Sequence, residues 1–241
     1  MRYAIIAAGE CSRLAQEGIT VPKPLVEVGG ECLIDRLIRI FVENGATAVC
    51  VVCRPESQVE NRLAQWQQEG VPLEYVIRTT PSSMHSMYEL RRLLEGDEPF
   101  VLTTVDTVFR EQDFKTYVEA LEKTVREGTA DGLMGVTDYI DDEKPLYVKT
   151  DSSLNIQAFL DHDSDPRYIS GGIYGLTPRS LETLRDCIAR GESRMRNFQR
   201  ALLTDGLRLK AWPFSKVLDI DHASDIAKAE TLLSGKLKVE S

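Results

Sequence analysis

The sequence predicts an α/β fold: a mainly parallel sheet flanked by helices, with a small antiparallel addition in its C-terminal half. Three observations carry that expectation. Apolar strand-like runs alternate with stretches of helical period through the first 126 residues, and glycines or Asn-Gly mark their ends. After residue 130 the apolar runs shorten and turn residues separate them.

Residues 3–8 read as a buried strand closed by Gly9, and Ile34, Leu37, Ile38 and Phe41 recur at helical spacing before Asn44-Gly45. A strand at 47–53, a polar helix at 56–68 ended by Gly70, a strand at 73–77 and a helix at 84–94 follow. A strand at 100–104 and a helix at 111–126 complete a βαβ rhythm, which implies a parallel sheet covered on both faces. Short strands are expected at 132–137, 146–150 and 154–159, then at 171–176. A helix at 178–189 with proline in its first turn, a strand at 207–212 and a final helix at 224–233 capped by Ser224 close the chain. No repeat or linker interrupts it. One domain is expected over 1–241, with a ligand-binding part at 1–130 and a second part at 131–241.

The 241 residues carry a formal net charge of −9, which argues against a nucleic-acid surface. No apolar stretch approaches a membrane span, and no cleavable leader precedes the first strand, so a cytoplasmic protein is expected. The five cysteines are an odd number. Cys50 and Cys53 form a C-x-x-C inside an apolar strand with no second ligand pair, which reads as two buried thiols rather than a zinc or redox site.

Three segments could carry chemistry. The loop after the first strand, "AAGECSRL", continues to "VPKPL". It matches neither G-x-x-x-x-G-K-[ST] nor G-x-G-x-x-G. On local grounds a plain turn and a phosphate grip stand even: Arg13 offers a forked cation, and Lys23 a point charge stiffened by two prolines. Asp106, just past a central strand, could bind Mg²⁺ or serve as a turn residue. Asp219 and Asp221 lie close together near the last helix, and two neighbouring carboxylates repel unless a cation sits between them. Asp225 has an ordinary reading in the first turn of that helix. None of the three histidines has the spacing of a hydrolase triad or a zinc site.

Taken together, "IIAAGECSRL…VPKPLVEVGGECLIDRLI", "VLTTVDT", "ISGGIYGLTPRSLETL" and "VLDIDHASDIAKAE" resemble the sugar-phosphate nucleotidyltransferases. Their usual opening is A-A-G-x-G-[ST]-R-[LM] followed by P-K-P-L. The resemblance implies a Rossmann-like (GT-A-like) sheet and transfer of NMP from an NTP to a sugar 1-phosphate or phospho-alcohol, with pyrophosphate released. It implies a base near Ala8 and Gly9, and phosphates near Glu10, Cys11, Ser12, Arg13 and Lys23. Mg²⁺ would be held by Asp106 with Asp219 or Asp221, and the acceptor would lie near Gly171 and Gly172. Lys23 would offset charge at the α-phosphate, and Arg13 would stabilise the pyrophosphate. "TTPSSMHSMY" resembles the segment near the base in members that load phosphocholine, which adds Ser82 and Ser83. A hydroxyl cluster capping a helix is the plainer account of those two.

The sequence departs from the family pattern in three places, the first being Val105-Asp106 where G-D is more usual. "FLDHDSDPRY" stands where E-K-P is usual, and Cys11 stands where glycine would allow positive φ, so negative φ is expected there. Two alternatives remain on sequence alone: a GT-A-type glycosyltransferase, and a silent nucleotide-binding or regulatory protein of the same fold.

Overall fold

The computed structural model describes residues 1–9, 12–141 and 144–235. The first apolar run is strand β1 (Arg2–Ala7), and a short helix α1 (Ser12–Gln16) follows the loop after it. A 3₁₀ turn at Lys23–Leu25 and a small hairpin, β2 (Glu27–Val28) with β3 (Glu31–Cys32), lead into α2 (Leu33–Glu43). The alternation continues through β4 (Ala48–Cys53), α3 (Glu60–Gln68), β5 (Leu73–Ile77), α4 (Ser83–Leu94) and β6 (Phe100–Thr104). Next come β7 (Thr107–Phe109), α5 (Glu111–Arg126), β8 (Gly132–Thr137), β9 (Tyr147–Thr150) and β10 (Ile156–Leu160). The C-terminal part is β11 (Ile169–Leu176), α6 (Ser180–Ala189), α7 (Met195–Thr204), β12 (Leu209–Pro213), β13 (Val217–Asp219) and α8 (Ala223–Leu233).

The large sheet runs β10-β9-β11-β6-β1-β4-β5, with β8 paired to β11 and β12. Its N-terminal half is parallel, with Ala4 opposite both Cys50 and Leu102. These strands are apolar without alternation because both faces are covered. On one face Tyr3 and Ile5 pack with Phe41 of α2 and Phe114 and Tyr117 of α5, Tyr3 stacking on Phe41 at 4.6 Å. On the other, Ala4 and Ile6 share a core with Met87 and Leu90 of α4 and with Leu184 and Phe198. Cys50 and Cys53 are buried free thiols, and burial pushes them up, to about 12 and about 11.

The antiparallel addition is where the shortened runs placed it. β11 runs antiparallel to β6 and β8, and β9 and β10 form an antiparallel pair at the sheet's edge. Between Ser170 and Ile173 the β8–β11 register shifts, and Gly172 there takes φ +69°. This irregularity falls where β11 runs past the carboxyl end of β6, since Ile173 pairs with Thr103. A separate pair, β13 with β7, sets Asp219 opposite Thr107.

Two helix starts differ from the sequence expectation in ways that have a local cause, and one helix was missed. The helix expected from residue 56 begins at Glu60, because Pro55 starts a 3₁₀ turn and Gln58 at φ +55° breaks the helical path. The cap of α8 is His222 rather than Ser224, and the Asp225 carboxylate takes the His222 backbone N–H at 2.8 Å. Helix α7 was not expected, although Met195, Phe198 and Leu202 repeat at helical spacing and Gly206 lies just beyond its end.

Candidate active site

The carboxyl ends of β1 and β6 open into a chamber of about 490 Å³ lined by Ala8, Gly9, Lys23, Ser82, Ser83 and Asp106. This is the side of an open α/β sheet on which ligands bind. A second chamber of about 250 Å³ lies under α8, with Arg13, Gly171, Asp219 and Asp221 in its lining.

Lys23 joins the two. Its turn is fixed by Pro22 and Pro24, and its Nζ donates to Asp106 Oδ2 at 2.5 Å and to Asp221 Oδ1 at 2.7 Å. Burial works to lower the pKa of this ammonium, but the two carboxylates and their hydrogen bonds outweigh it and hold it above its usual range. Arg13 Nη1 donates to the other Asp221 oxygen at 3.0 Å. The segments that carry these acids are tied by backbone as well, since Ile220 N–H donates to the Asp106 carbonyl at 3.1 Å.

Asp219 accepts from Thr107 Oγ1 at 3.1 Å, and Thr107 in turn lies 2.7 Å from Thr104 Oγ1. Crowding by the surrounding protein and then the charge of Asp106 push its carboxyl up to about 7, with Asp221 adding to the rise and Lys23 and the Thr107 bond opposing it. The side chain still opens to solvent through the cleft, so water offsets part of the first effect and the neighbouring charges weigh more. Gly172 keeps this corner open: a Cβ there would lie 3.1 Å from Thr107 Oγ1.

Of the remaining expected residues, Glu10 and Cys11 lie outside the described residues, and with them the φ expected of Cys11. Of Ser12 only the backbone is described, as the first residue of α1. Sequence reasoning missed Thr104, Thr107 and Glu17. Glu17 Oε1 lies 2.6 Å from His222 Nδ1, and its Oε2 accepts the Ala223 backbone N–H at 2.6 Å, clamping the loop after α1 to the start of α8. These contacts join residues more than two hundred positions apart, so no local pattern signals them. The threonines did have one, standing two residues before Asp106 and one after it.

A metal would enter a crowded anionic corner. Among the described residues no three His, Cys, Asp or Glu side chains converge on a preformed site. That suits Mg²⁺ arriving with a polyphosphate, since Mg²⁺ takes one or two carboxylates and fills its shell with phosphate oxygens and water. The like charges of Asp106 and Asp221 that help to raise Asp219 are the charge excess that such an ion relieves.

A family model described as MobA-like NTP transferase domain matches residues 3–169. The CMP-5'-(3-aminopropyl)phosphonate synthase of Streptomyces rubellomurinus is 26% identical over 159 residues, covering 60% of this chain and 25% of that protein. A mannose-1-phosphate guanyltransferase of Gibberella zeae is 30% identical over 113 residues, covering 45% of this chain and 31% of that protein. This chain therefore spans about a quarter to a third of the length of these relatives. The structure of the inositol-1-phosphate CTP transferase from T. maritima shares the fold, with TM-score 0.79 and 19% identity over 97% of this chain and 94% of that one.

Proposed function

The chain belongs to the family of MobA-like NTP transferase domains, and from that premise we propose that it is a Mg²⁺-dependent nucleotidyltransferase acting on a small phosphorylated acceptor. The observation that carries the reading is Lys23 held between Asp106 and Asp221 where two chambers meet. The NTP takes the larger chamber and the acceptor the smaller, so the α-phosphate lies at their junction. The names of the relatives support the acceptor class: each specifies a phosphonate or a phosphorylated sugar or cyclitol.

In this arrangement the protein contributes position and charge rather than a covalent step. Lys23 is a donor already desolvated by its surroundings, which strengthens its hold on phosphate oxygens as charge builds there. Arg13, which lines the second chamber and binds Asp221, adds a second positive charge beside the junction where the phosphates lie. Thr107 keeps Asp219 in one orientation. Mg²⁺, held by Asp106 with Asp219 or Asp221, would neutralise the phosphate oxygens and polarise the reacting phosphorus. A cytoplasmic setting, where NTPs and reduced thiols are both found, completes the proposal.

The test is release of pyrophosphate from mixtures of Mg²⁺, each NTP and a panel of sugar 1-phosphates, phospho-alcohols and phosphonates. At least one pair should react, and Lys23→Met should slow that pair on the order of 100-fold. Nucleotide binding with no turnover of any pair would leave only a silent binder.

A further inference from the structure

Helix α1 follows the loop after β1 and is tied at both ends to residues 221–223. At its start, Arg13 Nη1 donates to Asp221 Oδ2 at 3.0 Å. Just past its end, Glu17 meets two groups at once, His222 Nδ1 at 2.6 Å and the Ala223 backbone N–H at 2.6 Å. The imidazole and then the backbone N–H hold the Glu17 carboxyl below its usual range. An ionised carboxylate only accepts, so Nδ1 carries the hydrogen in this contact. Ala223 is the first residue of α8, where an N–H has no helical partner and a negative charge is favoured. The chain turns sharply after Glu17: Gly18 takes φ +90°, and Ile19 N–H donates to the Leu14 carbonyl at 2.9 Å. Leu14 is buried, so this turn fixes Glu17 against the core rather than on a free loop.

A nucleotide acts differently on the two ties. On the nucleotidyltransferase reading, an arriving triphosphate offers Arg13 and Lys23 new acceptors, and Asp221 loses the cations that hold it. Glu17 is not among the described residues that line either chamber, so its tie persists. Resting on that reading, we infer that Glu17 is a positioning residue, an interlock that keeps α1 docked on the start of α8 while Arg13 and Lys23 turn from Asp221 to phosphate. It touches no substrate. It keeps Asp219 of β13 and Asp221 beside the nucleotide just when the ion pairs of Asp221 are given up.

Hydrogen exchange of the full chain over residues 217–226 tests this without knowledge of the acceptor. The chain is compared alone and with Mg²⁺ plus ATP, CTP, GTP, UTP or dTTP. In the native protein, a nucleotide that binds should leave exchange of this segment unchanged or slower. In Glu17→Ala the same nucleotide should speed it at least about tenfold, once Asp221 is released and the Glu17 tie is gone. Ala223→Pro removes one donor and keeps both side chains. Proline suits the first helical position, and His222 before it is extended at φ −124° and ψ 158°. This variant should respond to nucleotide in the same direction by a smaller factor. A purely structural Glu17 would speed exchange equally with and without nucleotide, which overturns the interlock and leaves the nucleotidyltransferase reading in place. A native segment that loosens with nucleotide as much as the variant's overturns it too. No binding of any nucleotide overturns both the inference and the function.

Discussion

Asp219 and Asp221 stand two positions apart and meet different fates. Asp221 is bound by two cations, Arg13 and Lys23, whereas Asp219 has a single hydroxyl donor and two like charges nearby. The crowding and the neighbouring carboxylates raise Asp219 to about 7, so the folded protein binds its proton more tightly than the unfolded chain does. The resulting stabilisation is complete below the unfolded value of about 4, and it disappears as the pH rises through about 7. Urea midpoints of the metal-free protein, measured across that interval, should therefore fall with rising pH. Asp219→Asn should flatten the fall, and an unchanged slope in that variant would remove Asp219 as its source. The sequence could show that the pair needs a cation. It could not show that Lys23, nearly two hundred residues earlier, fills that place for one member and leaves the other short.

At the scale of elements, α5 lies directly on β11 because Gly175 has no side chain. A Cβ there would sit 2.5 Å from Tyr117 Oη and 2.7 Å from Leu121 Cδ2. Both neighbours are fully buried, and Tyr117 Oη is engaged with the Leu133 carbonyl at 2.8 Å, so neither can swing away. Gly175→Ala is expected to cost about 1–3 kcal/mol in a denaturant titration. A loss near zero would mean that the helix can lift from the sheet. Elements with an uninterrupted pattern were legible: β1, β4, β5 and β6 appear within a residue or two of expectation because their signal is local. The pair β7 and β13 was not, since each is three residues long and is defined only by the other. The cap of α8 was misread for a similar reason. Ser224 has the right chemistry, but Asp225 and Glu17 draw the start of the helix back to His222.

For the molecule as a whole, a net charge of −9 has to be reconciled with the anionic substrates proposed for it. Arg13 and Lys23 are already paired with Asp221 and Asp106, and Asp219 adds a further carboxylate, so the corner where a triphosphate would lie holds no surplus of positive charge before it arrives. Neutralisation of an NTP then falls largely to the divalent ion. Titration of an NTP should show affinity at least about tenfold higher in Mg²⁺ than in EDTA. Equal affinity in the two would assign charge recognition to Arg13 and Lys23 alone. The family match ends at residue 169, before Asp219 and Asp221, so the resemblance is densest on the nucleotide side and thinnest where the acceptor would bind.

The contact between Thr107 and Asp219 spans 112 positions. A chain made from its N-terminus presents the phosphate loop, Ser82, Ser83 and Asp106 early, while β7 waits for its partner strand through on the order of ten seconds of synthesis. During that interval Thr107 has no Asp219 to hold and Lys23 has no Asp221 to bind. The last strand to emerge thus completes the corner around Lys23, which the first quarter of the chain cannot build by itself.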